Sequence, residues 1–302
     1  MRLDSLFEAS VSKETRNQVD SFNSHLSDVD APEFQAFVEK YRPQLTLAMR
    51  KYAKGIGIFR GDRSLNTVSN AALITPGQRK SQNTTNYYTL WMSNHESWSD
   101  FPRRDRSAIC SSSYQRARSY GSGWNDDSNA FLIVPMTDTK IGVCSDSDLW
   151  QSWLENTPGM HSKVMWLMRR LSILDLDEND WNTLASQLKA LTYREFRESY
   201  VKHNVESSDM TKPEYELEAF NATFGQVKGI KLHDDDTMYE IMATLMNPYY
   251  NEFTLTSWLK YDLSFQNGGQ GHEVWFSAPY LAIKVEGPKA TLFPYLKEKL
   301  NP

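Results

Sequence analysis

Two cysteines in 302 residues, Cys110 and Cys144, are too few for a disulfide framework and suit a reducing compartment, where buried free thiols are expected. No stretch approaches the roughly 20 apolar residues that a membrane span needs. The opening MRLDSLFEASVSKETRNQ has no apolar core of the secretory-signal kind, so a cytoplasmic protein is expected, with no membrane partner. A net charge of −5 gives no global attraction to a nucleic-acid backbone, leaving only local basic patches. Zinc-ligand spacing, a phosphate-cradling Walker loop and a nucleophile elbow are all missing, and no metal is expected. What the chain has in plenty is aromatic residues, including nine tryptophans and 15 tyrosines. Hydrophobic residues make up 40% and charged residues 24%, enough to bury one elaborate core or two.

The apolar spacing predicts an α+β protein: helices first and in the middle, with an antiparallel β core split around them. Residues 1–54 read as an N-terminal helical segment, with a helical pattern from 14 to 53. APEFQAFVEKY places Phe34, Phe37 and Val38 at helical spacing, and PQLTLAMRKYAKG runs to a stop at Gly55. Residues 55–146 form the first half of the core: IGIF, AFLIVP (130–135) and KIGVCS (140–145) read as strands. Polar, turn-rich 61–86 reads as loop, and YYTLWM (87–92) as a strand or a short helix. Residues 147–250 form a helical insertion, in which DSDLWQSWLEN, HSKVMWLMRRLSIL, DENDWNTLASQLKAL and TYREFRESYVKHN carry the 3.6-residue period. Residues 251–302 complete the core with strands at 253–263 and 272–287, separated by NGGQG.

Acidic clusters in the insertion offer little. DLDENDWNTLAS has Asp175, Asp177 and Asn179 in calcium-loop order, but lacks the sixth-position glycine and has Ser186 where a glutamate belongs. Helix capping by Asp177 or Asp180 accounts for it. Around the serine strand, Arg103, Arg104, Arg106, Arg116 and Arg118 read as a solvated arginine-rich loop, with a basic rim for phosphates as the alternative.

Three short segments stand out together. GIGIFRG ends a strand in Arg60-Gly61, ICSSS ends another in Ser111–Ser113, and EVWFSAP opens a third with Glu273. Strand ends hold side chains on a rigid scaffold, so an Arg, a Ser and a Glu there can converge. In this order and context the three resemble the arginine–serine–glutamate class of NAD-dependent mono-ADP-ribosyltransferases, the cholera-toxin-like and clostridial exoenzyme-like branch. AMRKYAKGIGIFRG, AICSSSYQRARSYGSG…AFLIVP and EVWFSAP match that pattern over about 40–145 and 250–287.

The resemblance implies an ADP-ribosyltransferase-like fold and an enzyme that takes NAD as substrate, transfers ADP-ribose to a macromolecular acceptor and releases nicotinamide. Glu273 would be catalytic, stabilising an oxocarbenium-like transition state at the ribose. Arg60 would pair with a phosphate, and Ser111 would hold Glu273. Gly61, Ser113, Tyr114 and Tyr120 would complete the cofactor site. An acceptor loop would span Gln270, Gly271 and His272. Family members place Glu or Gln two residues before the catalytic glutamate. Here that position is Gly271, which disfavours arginine as acceptor and leaves another side chain of a host protein, a nucleic-acid base or water open. Transferases of this kind are bacteriophage or bacterial effectors that modify the host, and would work in host cytoplasm. The alternatives are a catalytically silent structural or binding protein of the same fold, such as a virion component, and an NAD glycohydrolase.

Overall fold

The computed structural model describes residues 30–62, 70–80, 85–121, 130–146, 149, 167, 171–206, 218, 221–222, 231–264, 271–287 and 290–300. The predicted helical pattern before residue 30, most of the DSDLWQSWLEN and HSKVMWLMRRLSIL helices and Gln270 lie outside them. The chain is α+β. In order, the described elements are α1 (Pro32–Lys40), α2 (Arg42–Ala53), β1 (Phe59–Gly61), β2 (Ala71–Ile74), α3 (Tyr87–Asn94), β3 (Ala108–Ser111), α4 (Tyr114–Gly121), β4 (Ala130–Pro135), β5 (Lys140–Val143), α5 (Trp181–Ala190), α6 (Tyr193–Glu206), α7 (Met238–Leu245), β6 (Thr254–Ser257), β7 (Glu273–Phe276), β8 (Tyr280–Lys284) and α8 (Leu292–Leu300).

The strands form one antiparallel sheet in the order β2-β8-β4-β1-β3-β7-β5-β6. Its two arms meet at β1. On one side β1 pairs three residues with β4 (Phe59↔Leu132, Arg60↔Phe131, Gly61↔Ala130). On the other it pairs only Phe59 with Ser111 of β3. The segment 272–287, predicted as a single strand, is two: Ser277–Pro279 break it, so β7 joins the β3 arm while β8 joins β4 and β2. Pro279 has no N–H to give to a ladder, which suits a break there. The predicted loop 61–86 contains β2, whose short apolar run AALI pairs fully with β8. The strand predicted over 253–263 is confined to Thr254–Ser257.

Two compact units divide the chain. The first comprises 1–79, 101–148 and 255–302; the second comprises 80–100 and 149–254. In the first unit, Phe34, Leu45 and Met49 of α1 and α2 enter the core with Leu132, Ile133, Ile283, Leu292 and Leu296. Tyr52 meets Phe293 edge to face at 5.0 Å, joining α2 to α8. Buried Asn70 closes the start of α8, its side-chain oxygen accepting from Thr291 N (2.7 Å) and Leu292 N (2.9 Å). Helix α2 ends in a Schellman motif: Ile56 N donates to Lys51 O and Gly55 N to Tyr52 O, both at 2.9 Å. Gly55 takes φ +73° there, and the turn it makes feeds β1 and Arg60.

The second unit is helical in its described residues. YYTLWM is helix α3, and buried Trp91 stacks on His95 at 4.3 Å. Asp180 caps α5 by accepting from Thr183 N at 2.8 Å, while Asp177 accepts from Asn179 N and Asp180 N. The acidic pair therefore works as a capping turn. Thr237 and Glu240 form a reciprocal capping box on α7. Among the described residues no helix is long and apolar enough to cross a membrane.

Candidate functional site

The ladders bring the heads of three adjacent strands to one level. Phe59 opens β1 opposite Ser111, which closes β3 opposite Glu273, which opens β7. Cross-strand partners share a face, so Ser111 and Glu273 are neighbours on the same side of the sheet. Arg60 is the next residue along β1 and starts toward the other side, with Phe131. Its Nη1 donates to Ile109 O at 3.1 Å and its Nε to Asp62 Oδ2 at 3.0 Å. The guanidinium thus takes a main-chain oxygen of β3 just where the β1–β3 ladder has run out, and satisfies it. Burial works against the Arg60 charge, but Tyr280 and Asp62 outweigh it and hold its pKa above the usual arginine range. A quarter of the side chain stays exposed. Gly61 continues β1 opposite Ala130.

The serine triplet is spent on local order. Ser111 Oγ accepts from Ser113 N at 3.0 Å. Ser113 Oγ accepts from Arg116 N at 3.2 Å and so caps α4. Ser112 exchanges main-chain and side-chain bonds with His272: Ser112 N donates to His272 O (2.8 Å) and His272 N to Ser112 Oγ (2.7 Å). All three serines are buried. His272 is half-buried, with Nδ1 2.9 Å from Cys144 O, an arrangement that requires the proton on that nitrogen.

Gly271 cannot carry a side chain as the backbone stands. Its φ is +72°, and a Cβ would lie 2.6 Å from Ser113 Cβ and 2.7 Å from Ser113 N. The position where the resembled family has Glu or Gln is packed against the serine turn. Tyr114 lies edge to face on Phe59 at 5.6 Å, while exposed Tyr120 covers the Arg116 guanidinium at 4.9 Å. Cys110, between the serines and Arg60, is no nucleophile: burial pushes its thiol up to about 12, with Arg60 pulling the other way.

Sequence reasoning missed what surrounds Glu273. Arg104, expected on a solvated loop, is buried and pairs with it, Nη2 to Oε1 at 2.5 Å, both side chains about a tenth exposed (10% and 12%). Trp275 sets this contact up. Its indole lies so close over Gly142 of β5 that a Cβ there would come within 2.3 Å of Cζ2. It donates from Nε1 to Pro102 O at 2.9 Å, stacks on Phe101 at 6.0 Å, and lies 5.6 Å under the Arg104 guanidinium. The 101–104 segment is therefore fixed to β7, two residues from Glu273. A second arginine, Arg79, is tied to the same turn by its main-chain N, which donates to Asp105 O at 2.7 Å. Burial pushes the Arg79 guanidinium down to about 9, with Arg104 and Arg60 pressing the same way and Glu273 pulling it back. A carboxylate at a strand head with two guanidinium groups, Arg104 and Arg79, in electrostatic reach has the parts to hold an anionic ligand and to stabilise nearby positive charge. Among the described residues no group of His, Cys, Asp and Glu could hold a metal ion. No family model, no characterised protein and no solved structure matches the chain, so the site stands on its own geometry.

Proposed function

We propose that the protein transfers ADP-ribose from NAD to an acceptor, releasing nicotinamide. The observation that carries this reading is the pairing of Ser111 with Glu273 across β3 and β7, with β1 and its Arg60 as the next strand. An ADP-ribosyltransferase-like core, with the sheet's two arms meeting at β1, is part of the proposal. In the reaction the bond from ribose C1′ to the nicotinamide nitrogen breaks and its electron pair leaves with nicotinamide. The acceptor supplies the new pair at C1′ and gives up a proton. Glu273 offers negative charge where the ribose becomes cationic, and the arginines offer positive charge to the pyrophosphate. Electrostatic help of this kind is worth about 10²–10³ in rate. The crowded position of Gly271 removes the acceptor-orienting side chain that the resembled family uses, which favours an acceptor other than arginine.

A second reading has its own support. Arg104 holds Glu273, and Arg60 is held by Asp62 and a main-chain oxygen, the arrangement of a domain that binds without transferring. Incubation with NAD labelled on the adenosine half, in the presence of host lysate, separates the readings. Label on a macromolecule, reduced about 10²–10³-fold by Glu273→Gln, is the expected result. Free ADP-ribose alone points to hydrolysis. An inert wild-type protein, or full activity in Glu273→Gln, defeats the transfer reading.

A further inference from the structure

Of four arginines, Arg60 on β1, Arg103 and Arg104 on the turn before β3, and Arg79 bonded to that turn, three each have a carboxylate. Arg60 pairs with Asp62, Arg103 with Asp105 (Nη2 to Oδ2, 2.9 Å) and Arg104 with Glu273. The fourth, Arg79, is half-buried, and no carboxylate or carbonyl among the described residues bonds its guanidinium. Its main-chain bond to Asp105 O nevertheless places it beside the Arg104 turn. Arginine does not shed its proton in proteins, so a crowded guanidinium of this kind calls for an anion. Two guanidinium groups within electrostatic reach of each other suit the tetrahedral oxygens of a phosphate better than a single carboxylate.

We propose that Arg79 and Arg104 form a binding site for a phosphate or pyrophosphate group, and that filling it draws Arg104 off Glu273. The carboxylate and the ligand compete for one guanidinium. Glu273 is thereby latched in the empty site and released by the anion. The site does not depend on ADP-ribose transfer: an inert protein could still hold a phosphate here.

Calorimetric titration of the full chain with inorganic pyrophosphate at low ionic strength tests the proposal. One site is expected, weakened at least tenfold by Arg79→Gln and tightened severalfold by Glu273→Gln, because Arg104 then has no carboxylate to leave. A carboxylate removed elsewhere on the same unit, Glu286→Gln, leaves the affinity unchanged. Should Arg79→Gln fail to fold, Arg79→Lys keeps the charge, loses the fork and gives an intermediate weakening. No binding by the wild type, equal binding by the Arg79 variant, or no tightening in Glu273→Gln each overturns the proposal. Displacement of pyrophosphate by NAD identifies a nucleotide as the source of the phosphate. Pyrophosphate binding that NAD does not displace upholds the site and counts against the transfer reading instead.

Discussion

The two units keep their charges in opposite ways. In the helical unit, Arg194 pairs with Asp235 at 3.0 Å in water, their side chains 52% and 89% exposed. In the sheet unit, Arg104 and Glu273 pair out of water, beside Trp275. An exposed pair gains little because solvent screens it and both side chains lose freedom. A buried pair has already lost its hydration, so removing one partner strands the other. Among the described residues the sheet unit holds two ion pairs at neighbouring strand ends, Arg60 with Asp62 and Arg104 with Glu273, beside strands as apolar as AFLIVP.

Breaking the buried side should give the largest effect. Trp275→Ala removes the indole that fills the space over Gly142 and anchors 101–104, and should cost about 3–5 kcal/mol in chemical denaturation. A loss below 1 kcal/mol would mean the segment is fixed by other contacts. Next comes Gly271→Gln, which installs the side chain of the resembled family. It should destabilise by about 1–2 kcal/mol for the left-handed backbone alone, more with the Ser113 clash, and bring no gain in arginine modification.

The helical unit should answer to pH. Burial holds the pKa of His95 below its usual value, helped by Lys189 and opposed by Glu96, and His95 Nδ1 accepts from Ser97 N at 3.2 Å. A depressed histidine stabilises the fold above its unfolded pKa of about 6.5 and loses that contribution as the pH falls through the folded value. Melting of this unit should therefore drop on acidification below about pH 6.5, and His95→Gln should flatten that dependence. The smallest effect belongs to the exposed pair: Asp235→Asn should change stability by less than about 0.5 kcal/mol, and a larger loss would erase the contrast between the units.

Much of the scaffold was readable from local pattern. AFLIVP is a strand buried at every residue, Gly55 ends α2, and Asp180 caps α5, because each follows from a few adjacent residues. Along the chain Arg60, Ser111 and Glu273 read only as strand-end residues that can converge; the sheet sets their strands side by side, with Arg60 starting toward the face opposite Ser111 and Glu273. β2 escaped notice because AALI is short and sits in polar surroundings; only pairing with β8 makes it a strand. The break at Ser277–Pro279 hid within a continuous alternation that two separate strands satisfy equally well. Arg104 looked like one of five loop arginines, and Arg79 gave no signal at all.

The sequence by itself determined several elements, the strand AFLIVP and the helices around Phe34, Met49 and Leu184 among them, and that an arginine, a serine and a glutamate stand at strand ends. Those properties depend on neighbours within a turn or two. Tertiary structure alone decided that Glu273 meets Arg104 across 169 positions of chain, that Gly271 must stay small against Ser113, and that Arg79 is held to the Arg104 turn through Asp105 O. Charge pairing acts through space over a few ångströms, and no spacing along the chain encodes which distant side chain will occupy them.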